Sequence, residues 1–281
     1  MIIVNLYGGL GNQMFQYACA FSLANKFETG LHIKKVTNLD EVNKNKLSDC
    51  FNMPFNYISL NVNYSFVNSI KKTLGIKTLS YYFEKNFFFN SDVSKLKPPV
   101  YLEGYFQSEK YFISQNEAIR SLYNFESVSN ACFWSNEIKT DENSVAIHIR
   151  RGDYLNSTNI GKHGLCNIDY YIAAIQKISN KIPNCVFYIF SDDIECAKQE
   201  FNAVVKNLRY VVHDSVKPDY YDMYLMSMCK HNIIANSTYS WWSAWLNNNP
   251  DKIVIAPSKW FADSVLQLQS ADIIPEAWIK I

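Results

Sequence analysis

The sequence predicts an α/β protein of two domains, each built on a parallel sheet. Three observations predict it. Along the second half, strand-like apolar runs alternate with helical segments, and the runs are apolar throughout, as strands covered on both faces are. At the start, residues 2–7 (IIVNLY) form a short apolar run that passes through Gly8, Gly9 and Gly11 into a helical pattern. The 281 residues suit two cores at roughly 100–200 residues each, enough to fold without staples.

The elements follow in order. Asn12, a good N-cap residue, opens the first helix, which sets Phe15, Ala18, Cys19 and Ser22 on one face. Residues 31–35 read as the next strand. The stretch 36–97 is rich in Asn, Lys and Ser and reads as loops and short helices, with aromatic clusters at Tyr81-Tyr82-Phe83 and Phe87-Phe88-Phe89. Pro98-Pro99 closes it, residues 100–106 read as a strand, and a helix follows from about Ser108. Polar residues 135–143 read as a linker, which places an N-terminal domain at 1–140 and a C-terminal domain at 141–281. In the latter, strands are expected at 144–150, 185–190, 208–212, 232–235 and 252–256. Helices are expected near 168–180, 193–204, 219–230 and 238–248.

Composition narrows the function. Hydrophobic residues make up 48% and charged residues 19%, so the chain is globular. Lys and Arg (27) nearly balance Asp and Glu (26), so no broad field draws in nucleic acid or anionic lipid. Any phosphate must be gripped locally. Seven cysteines without a CxxC pair argue against a zinc site and for a reducing compartment. The first residues lack a signal peptide's basic and apolar regions, and no run nears the ~18–20 apolar residues of a membrane span. The expectation is a cytoplasmic protein, at most peripheral at the inner face of the membrane. The many aromatics (19 Tyr, 18 Phe, 6 Trp) read mainly as core, but such rings also pack on the C–H faces of sugars.

The chemistry is sought at the carboxyl ends of the strands, where parallel α/β sheets bind ligands. The strand at 144–150 ends in His148-Ile149-Arg150-Arg151-Gly152-Asp153. Alternation puts His148 and Arg150 on one face, and Ile147, Ile149 and Arg151 on the other. Adjacent arginines at the end of a buried strand need anionic partners. Arg150 is expected to face the ligand with His148 beside it, its planar fork suited to a diphosphate. Arg151 is expected to pair inside the protein, with Asp153 a candidate partner. At the next strand end, Asp192 and Asp193 suit a ribose or a guanine N–H edge, and helix capping is the competing reading. Adjacent aspartates diverge, which argues against joint chelation of a metal. Further on, Asn236, Ser237 and Thr238 put hydroxyls and N–H groups at a helix start, a site for an anion, again with capping as the competitor. Trp241/Trp245 and Trp242/Leu246 are i,i+4 pairs that read as core. The turn Gly8–Gln13 lacks the spacing of a dinucleotide fingerprint or a P-loop. Gly9, Gly11 and Asn12 would still let the backbone come close to a sugar or pyrophosphate.

Five segments, GGLGNQMFQYA (8–18), GYFQSEKYF (104–112), HIRRGDY (148–154), FSDD (190–193) and NSTYSWWSAWL (236–246), span nearly the whole chain in order. Together they resemble the α-1,2-fucosyltransferases of glycosyltransferase family 11, in a bacterial form. The resemblance implies a GT-B fold, with two Rossmann-like domains whose parallel sheets face a central cleft. It puts the acceptor on the N-terminal side and the nucleotide sugar in the C-terminal domain. It implies inverting transfer of L-fucose from GDP-fucose to the 2-hydroxyl of a terminal galactose, in an oligosaccharide or lipid-linked glycan. No cofactor and no metal are expected. By the same resemblance Arg150 contacts the β-phosphate, His148 with Asp192 and Asp193 meets the nucleoside, and Ser237 and Thr238 reach the phosphates. Gly11 and Asn12 approach from the N-terminal domain. Asp153, close in sequence to Arg150, is a candidate general base, Glu103 and His163 are others, and a very dissociative reaction would need little base at all. The rival readings are another GDP-sugar transferase, such as a protein O-fucosyltransferase, and a non-catalytic glycan- or nucleotide-binding module.

Overall fold

In a computed structural model the described residues are 1–35, 46–51, 53, 55–60, 78–125, 133–151, 164–202, 205–213, 218 and 220–281. The chain divides into unit 1, Met1–Asn124, and unit 2, Phe125–Ile281.

Unit 1 is built outward from β1 (Ile2–Val4), three buried residues between parallel neighbours. After it come α1 (Leu10–Lys26), β2 (Leu31–Lys34), α2 (Lys46–Cys50), β3 (Tyr57–Ile58), β4 (Ser80–Phe83), β5 (Val100–Glu103) and α3 (Asn116–Leu122). The strands lie in the order β3-β2-β1-β5-β4, all parallel. The cluster Tyr81-Tyr82-Phe83, expected in a loop, is the edge strand β4, with Tyr81 opposite Tyr101. Its mostly exposed side chains break the continuous apolar signal that marks the inner strands. Instead of a helix from Ser108, the chain makes 3-10 turns at Glu109–Tyr111 and Ile113–Gln115 before α3.

The first helix starts two residues earlier than expected, at Leu10. Gly9 occupies the N-cap position without a side-chain cap, and Asn12 lies in the first turn. Most of α1 is buried on every side, including Gln13 and Gln16. Those two amides fold back on the glycine turn. Gln16 accepts from the Tyr7 N–H (3.0 Å) and donates to the Tyr7 carbonyl (3.3 Å), while Gln13 donates to the Gly8 carbonyl (2.9 Å). Gly8 has φ +78°, a conformation that glycine adopts without steric cost.

Unit 2 begins before the expected boundary, because the polar stretch near 135–143 is largely helix. This helix, α4 (Phe133–Thr140), inserts Ile138 into a core with Tyr188, Leu225 and Met226. Then follow β6 (Ser144–Ile149), α5 (Ile168–Ser179), β7 (Val186–Ser191), α6 (Ile194–Phe201) and β8 (Leu208–Tyr210). The chain continues through α7 (Tyr220–Met228), β9 (His231–Ile233), α8 (Thr238–Leu246), β10 (Val254–Ala256), α9 (Ser264–Gln269) and β11 (Ile279–Lys280). The last helix and strand were not anticipated. All six strands are parallel, in the order β11-β10-β9-β6-β7-β8. The protein thus has the two parallel α/β units of the expected GT-B plan.

Packing follows the alternation of β6. Val145, Ile147 and Ile149 join Tyr171, Ala174 and Ile178 of α5 and Ala197 and Phe201 of α6. Ala146 joins Tyr221, Leu225 and Met226 of α7 on the other face. Trp241 and Trp242 are wholly buried, and the Trp241 indole donates to the Ile273 carbonyl at 2.8 Å, so this pair is core as expected. Six cysteines are free thiols, five of them buried; Cys132 lies outside the described residues. Among the described residues no helix is long and apolar enough to cross a membrane.

Candidate functional site

The order of the unit 2 sheet fixes where to look. From β6 the chain moves outward through β7 and β8, then returns to lay β9, β10 and β11 on the other side. The order reverses between β6 and β9, and open parallel sheets bind ligands at the carboxyl ends beside such a point. Three neighbouring strand ends carry the residues singled out by sequence: His148–Arg151 after β6, Asp192 and Asp193 after β7, and Asn236–Thr238 after β9.

On β6, His148 is buried, and its ring lies 5.7 Å from that of Tyr239. Its Nδ1 has no hydrogen-bond partner among the described residues. Burial, and then the charge of Arg150, push its pKa down to about 3. His148 is therefore neutral near pH 7. The influence of Arg150 fits the alternation that put both on one face, and Tyr239 packs on that same α7 side of the sheet. Arg150 itself is half-buried.

Arg151 turns the other way and pairs internally, as expected, but with Glu200 of α6. Its Nη2 meets Glu200 Oε2 at 2.7 Å and its Nε donates to Oε1 at 3.3 Å. Nη1 donates to the carbonyls of Cys166 (3.0 Å) and Arg150 (3.3 Å). The guanidinium thus ties the strand end to α6 and to the segment before α5. Sequence reading missed Glu200, although a signal existed. It shares a helix face with buried Ala197 and Phe201, where an acid needs a cation. Asp153, a candidate partner and candidate base, and His163 both lie outside the described residues.

The two aspartates divide their tasks. Asp193 caps α6, its Oδ1 accepting from the Cys196 N–H at 3.0 Å. Asp192 Oδ1 accepts from the Arg151 N–H at 2.7 Å and so fixes the turn after β6. At the end of β9, Asn236 is buried and donates to the carbonyls of Trp260 (3.1 Å) and Gly164 (3.3 Å). That bonding makes it a brace between loops. Ser237 holds the N-cap position of α8, yet its side chain makes no capping bond. The competing reading, capping by Ser237, therefore fails, and a hydroxyl stands at a helix start beside the β6 end.

Unit 1 carries the glycine turn at the carboxyl end of β1. There Asn12 Oδ1 accepts from Gln107 Nε2 at 3.0 Å. Glu103, an alternative base, accepts from the Tyr101 hydroxyl. Among the described residues, no group of three or more His, Cys, Asp or Glu is placed to hold a metal ion.

Comparison with known proteins now decides the family. Residues 1–281 match the family described as Glycosyl transferase family 11. The chain belongs to this family. It is 34% identical to the alpha-1,2-colitosyltransferase of Escherichia coli, over 100% of this chain and 99% of that protein. It is 32% identical to the O-antigen biosynthesis glycosyltransferase WbnK of Escherichia coli, over 98% and 99%. The galactoside 2-alpha-L-fucosyltransferase of Caenorhabditis elegans is 27% identical over 63% of this chain and 51% of that protein. This family 11 chain is thus a glycosyltransferase, and the resemblance drawn from its five motifs is borne out.

Proposed function

We propose that this family 11 enzyme transfers L-fucose from GDP-fucose to the 2-hydroxyl of a terminal galactose in a surface glycan, with inversion and without a metal ion. The observation that carries the reading is the end of β6. Arg150 and His148 share one face there, beside the reversal point, and the neighbouring strand β9 leads to Ser237, whose side chain makes no capping bond. A guanidinium, a helix start and a neutral imidazole suit a nucleoside diphosphate.

In this mechanism the acceptor hydroxyl attacks the anomeric carbon of fucose as GDP departs from the opposite face. Negative charge grows on the β-phosphate, and Arg150 meets it more strongly in the transition state than in the ground state. Ser237 and Thr238 hydrogen-bond the phosphates. His148 and Asp192 contact the nucleoside. Asp193 is assigned to capping instead. Gly9, Gly11 and Asn12 contact a sugar, and Asp153 takes the acceptor proton.

The colitosyltransferase relative favours a second donor reading. Colitose is fucose without its 3-hydroxyl, so one pocket could serve either sugar. The test is GDP release from GDP-fucose and from GDP-colitose, with N-acetyllactosamine as acceptor and EDTA present. Acceptor-dependent release from GDP-fucose, unaffected by EDTA and giving a 2-linked product by NMR, supports the proposal. Preference for GDP-colitose would transfer the same mechanism to the other donor. Loss of activity in EDTA, restored by a divalent ion, would overturn its metal-free part.

A further inference from the structure

The motif GYFQSEKYF (104–112) has no part in the mechanism above. The segment leaves β5, which lies beside β1 although the two are far apart in the chain. From β1 the chain goes to β2 and β3 on one side, while β5 and β4 fill the other. The order of this sheet therefore also reverses, between β1 and β5, and its carboxyl ends there form a second ligand position.

Two buried carbonyl oxygens lie in the segments that leave these strands. Gln107 is 6% exposed, and its Nε2 is used on Asn12. Its Oε1 has no hydrogen-bond partner among the described residues, and neither has Asn5 Oδ1, just after β1. Buried acceptors of this kind are costly until a donor reaches them.

The turn that presents Gln107 is held in an unusual form. Phe106 has φ +52°, left-handed backbone for a bulky residue. The Glu84 carboxylate holds it by accepting from the N–H groups of Tyr105 (2.6 Å) and Phe106 (3.1 Å). A Cβ on Gly104 would collide with the Glu84 side chain, so only glycine fits there. Backbone strain kept by such a clamp is found where a side chain must be aimed.

The surroundings choose the ligand. The rings of Tyr7 and Tyr105 lie 5.1 Å apart, and Phe87 stacks on Tyr105 at 5.8 Å. The Tyr7 hydroxyl is held well above its ordinary pKa by burial, then by Tyr105 and the carboxylates of Glu103 and Glu84. Acidic neighbours repel a phosphate. Aromatic faces and amide oxygens accept a neutral, hydroxyl-rich molecule.

We propose that the carboxyl ends of β1 and β5 form a subsite for the acceptor sugar, in which Gln107 Oε1 receives a sugar hydroxyl and sets acceptor specificity. The proposal rests on the reading of the protein as a transferase to a sugar acceptor.

Saturation-transfer NMR of the full chain with N-acetyllactosamine, without nucleotide, tests it independently of catalysis. Transfer to the galactose protons in wild type, reduced about tenfold in affinity by Gln107→Leu, is the expected result. Gln107→Glu, which keeps the acceptor oxygen, should retain more binding than the leucine variant. If wild type binds no N-acetyllactosamine or methyl β-galactoside, or if a folded leucine variant binds as wild type does, the subsite is wrong. Kinetics then identify the sugar. A raised acceptor KM, with the donor KM moved less than twofold, supports the proposal, whereas a raised donor KM alone would assign Gln107 to the donor sugar and overturn it. If the wrong donor has been proposed, binding of the free acceptor still depends on Gln107, so the two failures are told apart.

Discussion

At the carboxyl ends of their central strands the two units set out different groups. Unit 2 offers a guanidinium, a neutral imidazole and a serine at a helix start, around Arg150, His148 and Ser237. Unit 1 offers amides and phenol rings, Asn12, Gln107, Tyr7 and Tyr105, with carboxylates close by. Both sheets are parallel, and both reverse order beside their first strand. Topology therefore fixes the place of a site, while a few side chains fix its charge, cationic in one unit and neutral to acidic in the other.

The sharpest way to break this comparison is to remove the cation. Arg150→Ala should lower kcat about 100–1000-fold, as expected for about 2.7–4 kcal/mol of transition-state stabilisation. Arg150→Lys should fare little better, because the fork is lost. Retention of more than a third of the activity in Arg150→Ala would remove the phosphate role. Next comes the brace behind it. Glu200→Leu strands the buried Arg151 charge and should cost about 2–3 kcal/mol in a denaturant titration, less than a fully enclosed pair because Glu200 is partly exposed. Rescue of the melting temperature by a second change, Arg151→Met, would support the pairing; no loss in the single variant would contradict it.

A third test uses pH. The pKa of folded His148 lies near 3, below the ordinary value of 6.5. Its contribution to stability is complete above pH 6.5 and is lost as pH falls toward 3, at about 1.4 kcal/mol per unit. Glu84 has the opposite sign, since burial raises its pKa to about 6 and its contribution fades as pH rises from 4.5. Comparing wild type with His148→Gln between pH 7 and 5 cancels that background. The glutamine variant should show the shallower acid loss, and parallel curves would mean that His148 takes up its proton at an ordinary pH. Smallest is Asp193→Ala. Loss of the α6 cap should cost about 1 kcal/mol with the donor KM nearly constant. A large rise in donor KM would return Asp193 to the ligand.

What could be read from sequence followed the range of its signals. Strict apolar runs gave the inner strands of unit 2, because strands covered on both faces must be apolar throughout. The same rule missed β4, whose edge position leaves Tyr81 and Phe83 exposed. Alternation along β6 separated Arg150 from Arg151, since period-two geometry needs no knowledge of the rest of the fold. It did not reveal Glu200, which meets Arg151 only after α6 has packed on the sheet. The bracing of two loops by Asn236 is invisible in sequence, because that bonding depends on chain far away. The glutamines of α1 carry no signal of a role in the sequence. Their task of fixing the glycine turn emerged only from the folded helix.

The pairing of Arg151 with Glu200 has a consequence for ionic strength. The Arg151 guanidinium already has a counterion built into the protein, within a contact that dissolved salt screens weakly. Arg151 should then add little to the salt dependence of any anion bound at this strand end.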